Sequence, residues 1–152
     1  MEIKELYSIF CKCGTVTTDS RTIRGGELFF ALKGENFDGN EYASKALDAG
    51  AAYAVVNESA PIASHVSEYI DAEGRSRIIP VPDTLRTLQD LARYHREHVL
   101  GDEHLTVIGI TGTNGKTTTK ELIRTVLSAK YNVIATEGNF NNDIGVPLSL
   151  LK

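Results

Sequence analysis

The sequence predicts an α/β protein in two parts. A small mixed α/β N-terminal domain covers residues 1–82, and the beginning of a parallel-sheet domain, left incomplete, covers 83–152. Three observations predict this. Short β-branched runs alternate with amphipathic helical patterns, as in strand–helix–strand units. Pro80 and Pro82 punctuate the chain between them. A Gly-rich stretch, Gly109-Ile110-Thr111-Gly112-Thr113-Asn114-Gly115-Lys116-Thr117-Thr118, links the apolar run Leu105–Ile108 to a helical pattern carrying Leu122, Ile123, Val126 and Leu127.

The elements follow in order. Ile3, Leu6, Ile9 and Phe10 recur at helical spacing. Gly14 then leads to a short extended piece, Thr15 to Thr18. Gly25-Gly26 turn the chain into a β-type run, Glu27 to Leu32. Lys33 to Gly39 reads as a polar loop. Asn40 reads as the N-cap of a helix with Tyr42, Ala43, Ala46 and Leu47 on its apolar face, closed by Gly50. Ala51–Val56 and Ile78–Val81 read as strands, with a short helix expected near His65, Tyr69 and Ile70. Asp83 or Thr84 caps a long helix bearing Leu85, Leu88, Leu91, Ala92 and Val99. Strands are expected at 105–110 and 132–136. A polar loop follows over 137–143, and Pro147 opens a helical turn.

Composition excludes several classes. The 152 residues carry a formal net charge of −4, which disfavours a non-specific nucleic-acid binder. No apolar run approaches the ~20 residues that span a bilayer, so no membrane span is expected. The charged start, Met1 to Leu6, is unlike a secretory signal. Cys11 and Cys13 lack two further ligands at metal-site spacing and read as free thiols of a reducing, cytoplasmic compartment. His95 and His98 stand three apart on a helix and read as a solvated face.

The Gly-rich stretch carries the chemistry. Glycines let backbone N–H groups curl around an anion, and a helix start adds unpaired donors and the positive end of its dipole. Lys116 can reach the β- and γ-phosphates of a nucleoside triphosphate, and the Thr117 hydroxyl can ligate Mg²⁺. The P-loop is a short variant, because Ile110 stands where the strict pattern needs its first glycine.

Three segments together resemble the Mur ligase family. They are the loop Thr111–Thr118, the pair Thr18-Asp19-Ser20-Arg21 and Leu28–Gly39, and the stretch Glu137–Pro147. The last is similar to the branch that adds D-alanyl-D-alanine. The resemblance covers essentially the whole chain. It implies a three-domain bacterial, cytoplasmic enzyme of cell-wall peptidoglycan synthesis, of which these residues form the first domain and the start of the ATP-binding central domain. Such enzymes join D-alanyl-D-alanine to UDP-N-acetylmuramoyl-tripeptide. ATP with Mg²⁺ converts the tripeptide carboxylate into an acyl phosphate, which the dipeptide amine then attacks.

By the same resemblance, Gly112, Thr113, Asn114, Gly115, Lys116, Thr117 and Thr118 would bind ATP. Lys116 and Thr117 would carry the catalytic role, and Thr117 would hold the metal. Ser20, Arg21, Glu35, Asn36 and Phe37 would contact the uridine diphosphate, with Asn139, Asn141 and Asn142 facing the sugar-diphosphate region. Taken alone, the chain is expected to be inactive and to self-associate through an incomplete sheet edge. The alternatives are a non-catalytic UDP-sugar-binding module, or a family member that adds diaminopimelate or lysine.

Overall fold

The computed structural model describes residues 1–35, 37–99, 106–136 and 142–152. Four strands form one parallel sheet: β1 (Val16–Thr17), β2 (Leu28–Phe30), β3 (Tyr53–Asn57) and β4 (Ile78–Val81), in the order β1-β2-β3-β4. The register sets Val16 opposite Leu28, Phe29 opposite Ala54, and Val55 opposite Ile79. Parallel strands require crossovers, and helices fill them.

Side chains alternate across the sheet and build two cores. On one face Leu28, Phe30, Val55, Ile79 and Val81 pack against Leu6 and Phe10 of α1 (Ile3–Cys13) and Leu88, Leu91 and Ala92 of α3 (Thr84–Val99). On the other, Phe29, Ala31, Ala54, Val56 and Ile78 pack against Ala43, Ala46 and Leu47, which α2 (Ala43–Asp48) presents. Burial on both faces explains why β2 reads as a continuous apolar run rather than an alternating one. Packing continues past residue 82, because α3 lies on the same sheet. Its aromatic residues also meet α1: the Tyr7 hydroxyl is 3.2 Å from His95 Nδ1, and the Tyr94 and His98 rings stack at 3.7 Å. His95, expected on a solvated face, is instead partly buried in the α1–α3 seam, whereas His98 stacks on Tyr94 and stays exposed as expected. Cys11 and Cys13 are free thiols.

The start of α2 differs from expectation. Asn40 is not its cap. Asp38 caps a 3₁₀ turn, Gly39–Tyr42, by accepting the Asn40 N–H, and α2 begins only at Ala43. Asn40 is buried and serves as a clip. Its Oδ1 accepts from the N–H of Asn57 at 2.8 Å and its amide donates to Asp38 Oδ1, while the Asn57 side-chain Oδ1 accepts from the N–H of Thr84 at 3.2 Å. Two asparagine side chains in relay thus join the turn before α2, the end of β3 and the start of α3. The Thr84 hydroxyl adds a bond to the Ala31 carbonyl. Gly39 sits so close to the chain that an added Cβ would lie 2.5 Å from the Leu32 carbonyl oxygen. That approach lets the Gly39 N–H reach the same oxygen and close the loop between.

The second part differs more. Helix α4 (Lys116–Ser128) forms as expected, and α5 (Gly145–Leu150) starts two residues before Pro147. No strand is present over the described residues 106–110 or 132–136, contrary to both expectations; Leu105 lies outside the described residues. A parallel strand is defined by its neighbours, and among the described residues these segments have none. Val107, Ile108 and Ile134 remain more than half exposed. Helix α5 packs on α3, where Leu151 joins the first core.

Two substitutions test the clip and the close approach. Asn40→Ala would leave the Asn57 amide without its acceptor, and urea unfolding is expected to show a loss of about 1–3 kcal/mol. Gly39→Ala would drive a methyl into backbone and is expected to cost about 1–3 kcal/mol. A midpoint unchanged in either variant would show that the contact carries no stability.

Candidate functional site

At the carboxyl ends of β1 and β2 the chain opens a cleft of about 470 Å³. Open parallel sheets place ligand crevices at strand carboxyl ends. The β1–β2 connection contributes Thr18, Asp19, Ser20 and Arg21; Phe29 forms the floor. Phe37, Tyr42 and Lys45 complete the lining.

The connection is shaped by its own side chains. Asp19 accepts the Arg21 N–H at 2.9 Å, an Asx-type turn. The Arg21 guanidinium grips the same carboxylate in two-pronged fashion, Nε to Oδ1 at 2.9 Å and Nη2 to Oδ2 at 2.7 Å. The Arg21 hydrogen bond lowers the Asp19 carboxyl to about 2. The pair is exposed, so its worth to stability is small.

The loop after β2 is pinned at its base. Lys33 and Asp38 form a bridge, and the Gly34 N–H donates to the Phe37 carbonyl at 2.8 Å. This holds Phe37 outward, 53% exposed, with its ring stacked on Tyr42 at 5.2 Å and 21°. Phe37 is therefore not core.

Of the residues assigned to a uridine diphosphate, Ser20, Arg21 and Phe37 meet in this cleft. Glu35 is exposed and does not line it. Asn36, Asn139 and Asn141 lie outside the described residues. Asn142 lies elsewhere: its Oδ1 accepts the Gly145 N–H at 2.7 Å at the start of α5, beside α3, where Gln89 donates to the Asp143 carbonyl. Sequence reasoning missed Tyr42 and Lys45. Tyr42 was expected on the apolar face of α2, yet the 3₁₀ turn rotates it into the cleft. The available signal was spacing, since residues three apart share a helix face.

The Gly-Lys loop forms a separate feature. Gly115, in the left-handed region at φ 76°, caps α4 without any side-chain bond, so the first-turn N–H groups stay available. Lys116 opens the helix and folds back across the loop, its Nζ donating to the carbonyl oxygens of Gly112 and Thr113. No carboxylate is paired with it among the described residues, and Gly112–Gly115, Thr117 and Thr118 are exposed. Bare N–H groups, a lysine and two hydroxyls suit a polyphosphate. For a divalent cation the same stretch offers neutral hydroxyl and amide oxygens, Thr117 among them, and no carboxylate. Among the described residues no group of three His, Cys, Asp or Glu side chains could hold a metal. No helix among the described residues is long and apolar enough to cross a membrane.

Family models match both parts of the chain that carry these features. The family described as Mur ligase family, catalytic domain, matches residues 13–96, and the Mur ligase middle domain matches residues 110–152. The chain is 43% identical over 136 residues to the UDP-N-acetylmuramoyl-tripeptide–D-alanyl-D-alanine ligase of Bacillus subtilis, covering 90% of this chain and 27% of that protein. Among solved structures, MurF from Acinetobacter baumannii superposes with a TM-score of 0.72 at 39% identity, covering 90% of this chain and 27% of that one. MurF ligase from Thermotoga maritima, in complex with ADP, gives a TM-score of 0.72 at 34% identity, covering 94% and 29%. The chain thus spans little more than a quarter of the length of these relatives. With one match taking in more than half of its residues and a second beginning at the Gly-Lys loop, the chain belongs to the Mur ligase family.

Proposed function

We propose that these residues supply the UDP-sugar cleft and the ATP loop of an amide ligase that adds D-alanyl-D-alanine to UDP-N-acetylmuramoyl-tripeptide in peptidoglycan synthesis. The observation that carries the reading is the pairing, within one chain, of an aromatic-walled cationic cleft with an uncapped Gly-Lys helix start. Residues 1–82 hold the nucleotide-tagged sugar, and residues 83–152 begin the ATP-binding domain, with α3 as the packing bridge between them.

In the cleft, the Phe37–Tyr42 stack offers an aromatic face to uracil. Ser20 and Arg21 line the route of the ribose and diphosphate. The family resemblance alone assigns Asn36 to the base edge and Asn139 and Asn141 to the sugar-diphosphate region; Glu35 and Asn142 stand away from the cleft and take no part in this reading. At the loop, the amides of Gly112 to Thr118, with Thr113 and Asn114, cradle the triphosphate. Lys116 leaves its carbonyl partners for the β- and γ-phosphates, and Thr117 would hold Mg²⁺, which would supply charge neutralisation at the phosphates. Transfer of the γ-phosphoryl group to the tripeptide carboxylate is chiefly a matter of positioning and charge neutralisation, which these groups begin to provide. The dipeptide amine then displaces phosphate from the acyl phosphate. The aqueous bacterial cytoplasm supplies ATP and both substrates.

The test is ADP release by the full-length gene product. Release is expected to require both the UDP-tripeptide and D-alanyl-D-alanine. Lys116→Ala is expected to lower kcat about 100-fold or more, the scale of losing one preorganised charge-stabilising donor. Release with diaminopimelate or lysine in place of the dipeptide would reassign the substrate, and UDP binding without any ADP release would favour a binding module.

A further expectation concerns the 152-residue chain by itself. Leu122 and Val126 of α4 are 63% and 71% exposed, and with Ile134 they leave an apolar surface that favours self-association. Light scattering is expected to show a mass above that of the monomer, falling when Leu122 and Val126 are both replaced by Lys. A monomer at all concentrations would refute this.

A further inference from the structure

We infer that Lys45, rather than Arg21, is the cation that meets the diphosphate of a uridine nucleotide in the β1–β2 cleft. The inference rests on the nucleotide-cleft reading above and adds to it which charge does the recognising.

The argument is one of competition for charge. Three charged side chains line the cleft: Asp19, Arg21 and Lys45. Arg21 is already committed. Its guanidinium makes both prongs of a fork to Asp19, and its backbone N–H completes the turn on the same carboxylate. A phosphate approaching Arg21 would have to displace a carboxylate two residues away in sequence. The pair as a unit carries no net charge. Lys45 has no ion pair or side-chain hydrogen bond among the described residues, and it is exposed to the cleft on the first turn of α2. The charge that remains in the cleft is therefore its own.

Placement supports the assignment. Lys45 lies three residues after Tyr42, on the same side of the 3₁₀–α2 junction. Tyr42 stacks on Phe37, so an aromatic face and an uncommitted ammonium border one cavity. A planar base joined to an anionic tail matches that pairing. The Asp19–Arg21 fork then acts as a positioning pair that shapes the β1–β2 turn, leaving the anion to a flexible point charge.

Titration of the 152-residue chain with uridine and with UDP, followed by amide chemical shifts, tests this. The wild-type chain is expected to bind UDP more tightly than uridine, with the difference shrinking as salt is raised. Lys45→Gln is expected to weaken UDP about three- to tenfold while leaving uridine unchanged, and Lys45→Arg to restore most of the loss. Lys45 is exposed, so an unaltered thermal midpoint should accompany these changes. Undiminished UDP affinity in Lys45→Gln, with the preference lost instead in Arg21→Gln, would overturn the inference and leave the cleft reading standing. Failure of the wild-type chain to bind either ligand would overturn the cleft reading itself.

Discussion

The architecture around the four-stranded sheet turns on a relay of two asparagine side chains, Asn40 and Asn57. Parallel strands cannot be joined by tight turns, so the carboxyl end of the sheet is built from long connections that could settle in many ways. Asn40 removes that freedom. It accepts from the Asn57 N–H and donates to Asp38, tying the β2–α2 connection to the end of β3, from where the Asn57 side chain accepts the Thr84 N–H at the start of α3. It does so from a buried position, where unpartnered amides would be costly. Gly39 beside it permits the backbone approach that the clip requires. The loop carrying Phe37 leaves from this anchored point, so the cleft inherits its shape from a bond network on the inner side of the sheet's edge.

The two candidate ligand features show opposite strategies for handling an anion. The loop before α4 relies on backbone: an uncapped helix start, left-handed glycine geometry, and a lysine resting on carbonyl oxygens. Its donors are ready and its cation is held by weak neutral partners that a phosphate readily replaces. The β1–β2 cleft relies on side chains, one of whose cations is internally neutralised. That arrangement suits recognition of a tag that must bind and leave, whereas the backbone cradle suits a group whose developing charge must be stabilised.

Only part of the fold was legible beforehand. The β2, β3 and β4 runs and helices α1, α3 and α4 followed from periodicity, because each has a strong apolar pattern of its own. The Asn40 cap did not. An asparagine before an apolar helical stretch suits the cap rule, and only the partners across the sheet reveal that its side chain points inward. The expected strands near 107 and 134 failed for a related reason. Their apolar residues satisfy strand propensity, but a ladder needs a neighbouring strand, which is a fact about other segments. In the candidate site, Ser20, Arg21 and Phe37 were found through motif resemblance, while Tyr42 and Lys45 sit in what reads as ordinary helix.

The sequence by itself determined the alternation of strands and helices, the parallel character of the buried runs, and the Gly-Lys loop, since these depend on local propensity, spacing and the conformational freedom of glycine. Tertiary structure alone decided which side of α2 faces the cleft, which cation there stays uncommitted, and which polar side chains lock the sheet's carboxyl end. Those outcomes depend on distances between residues far apart in the chain, and no local pattern encodes a distance of that kind.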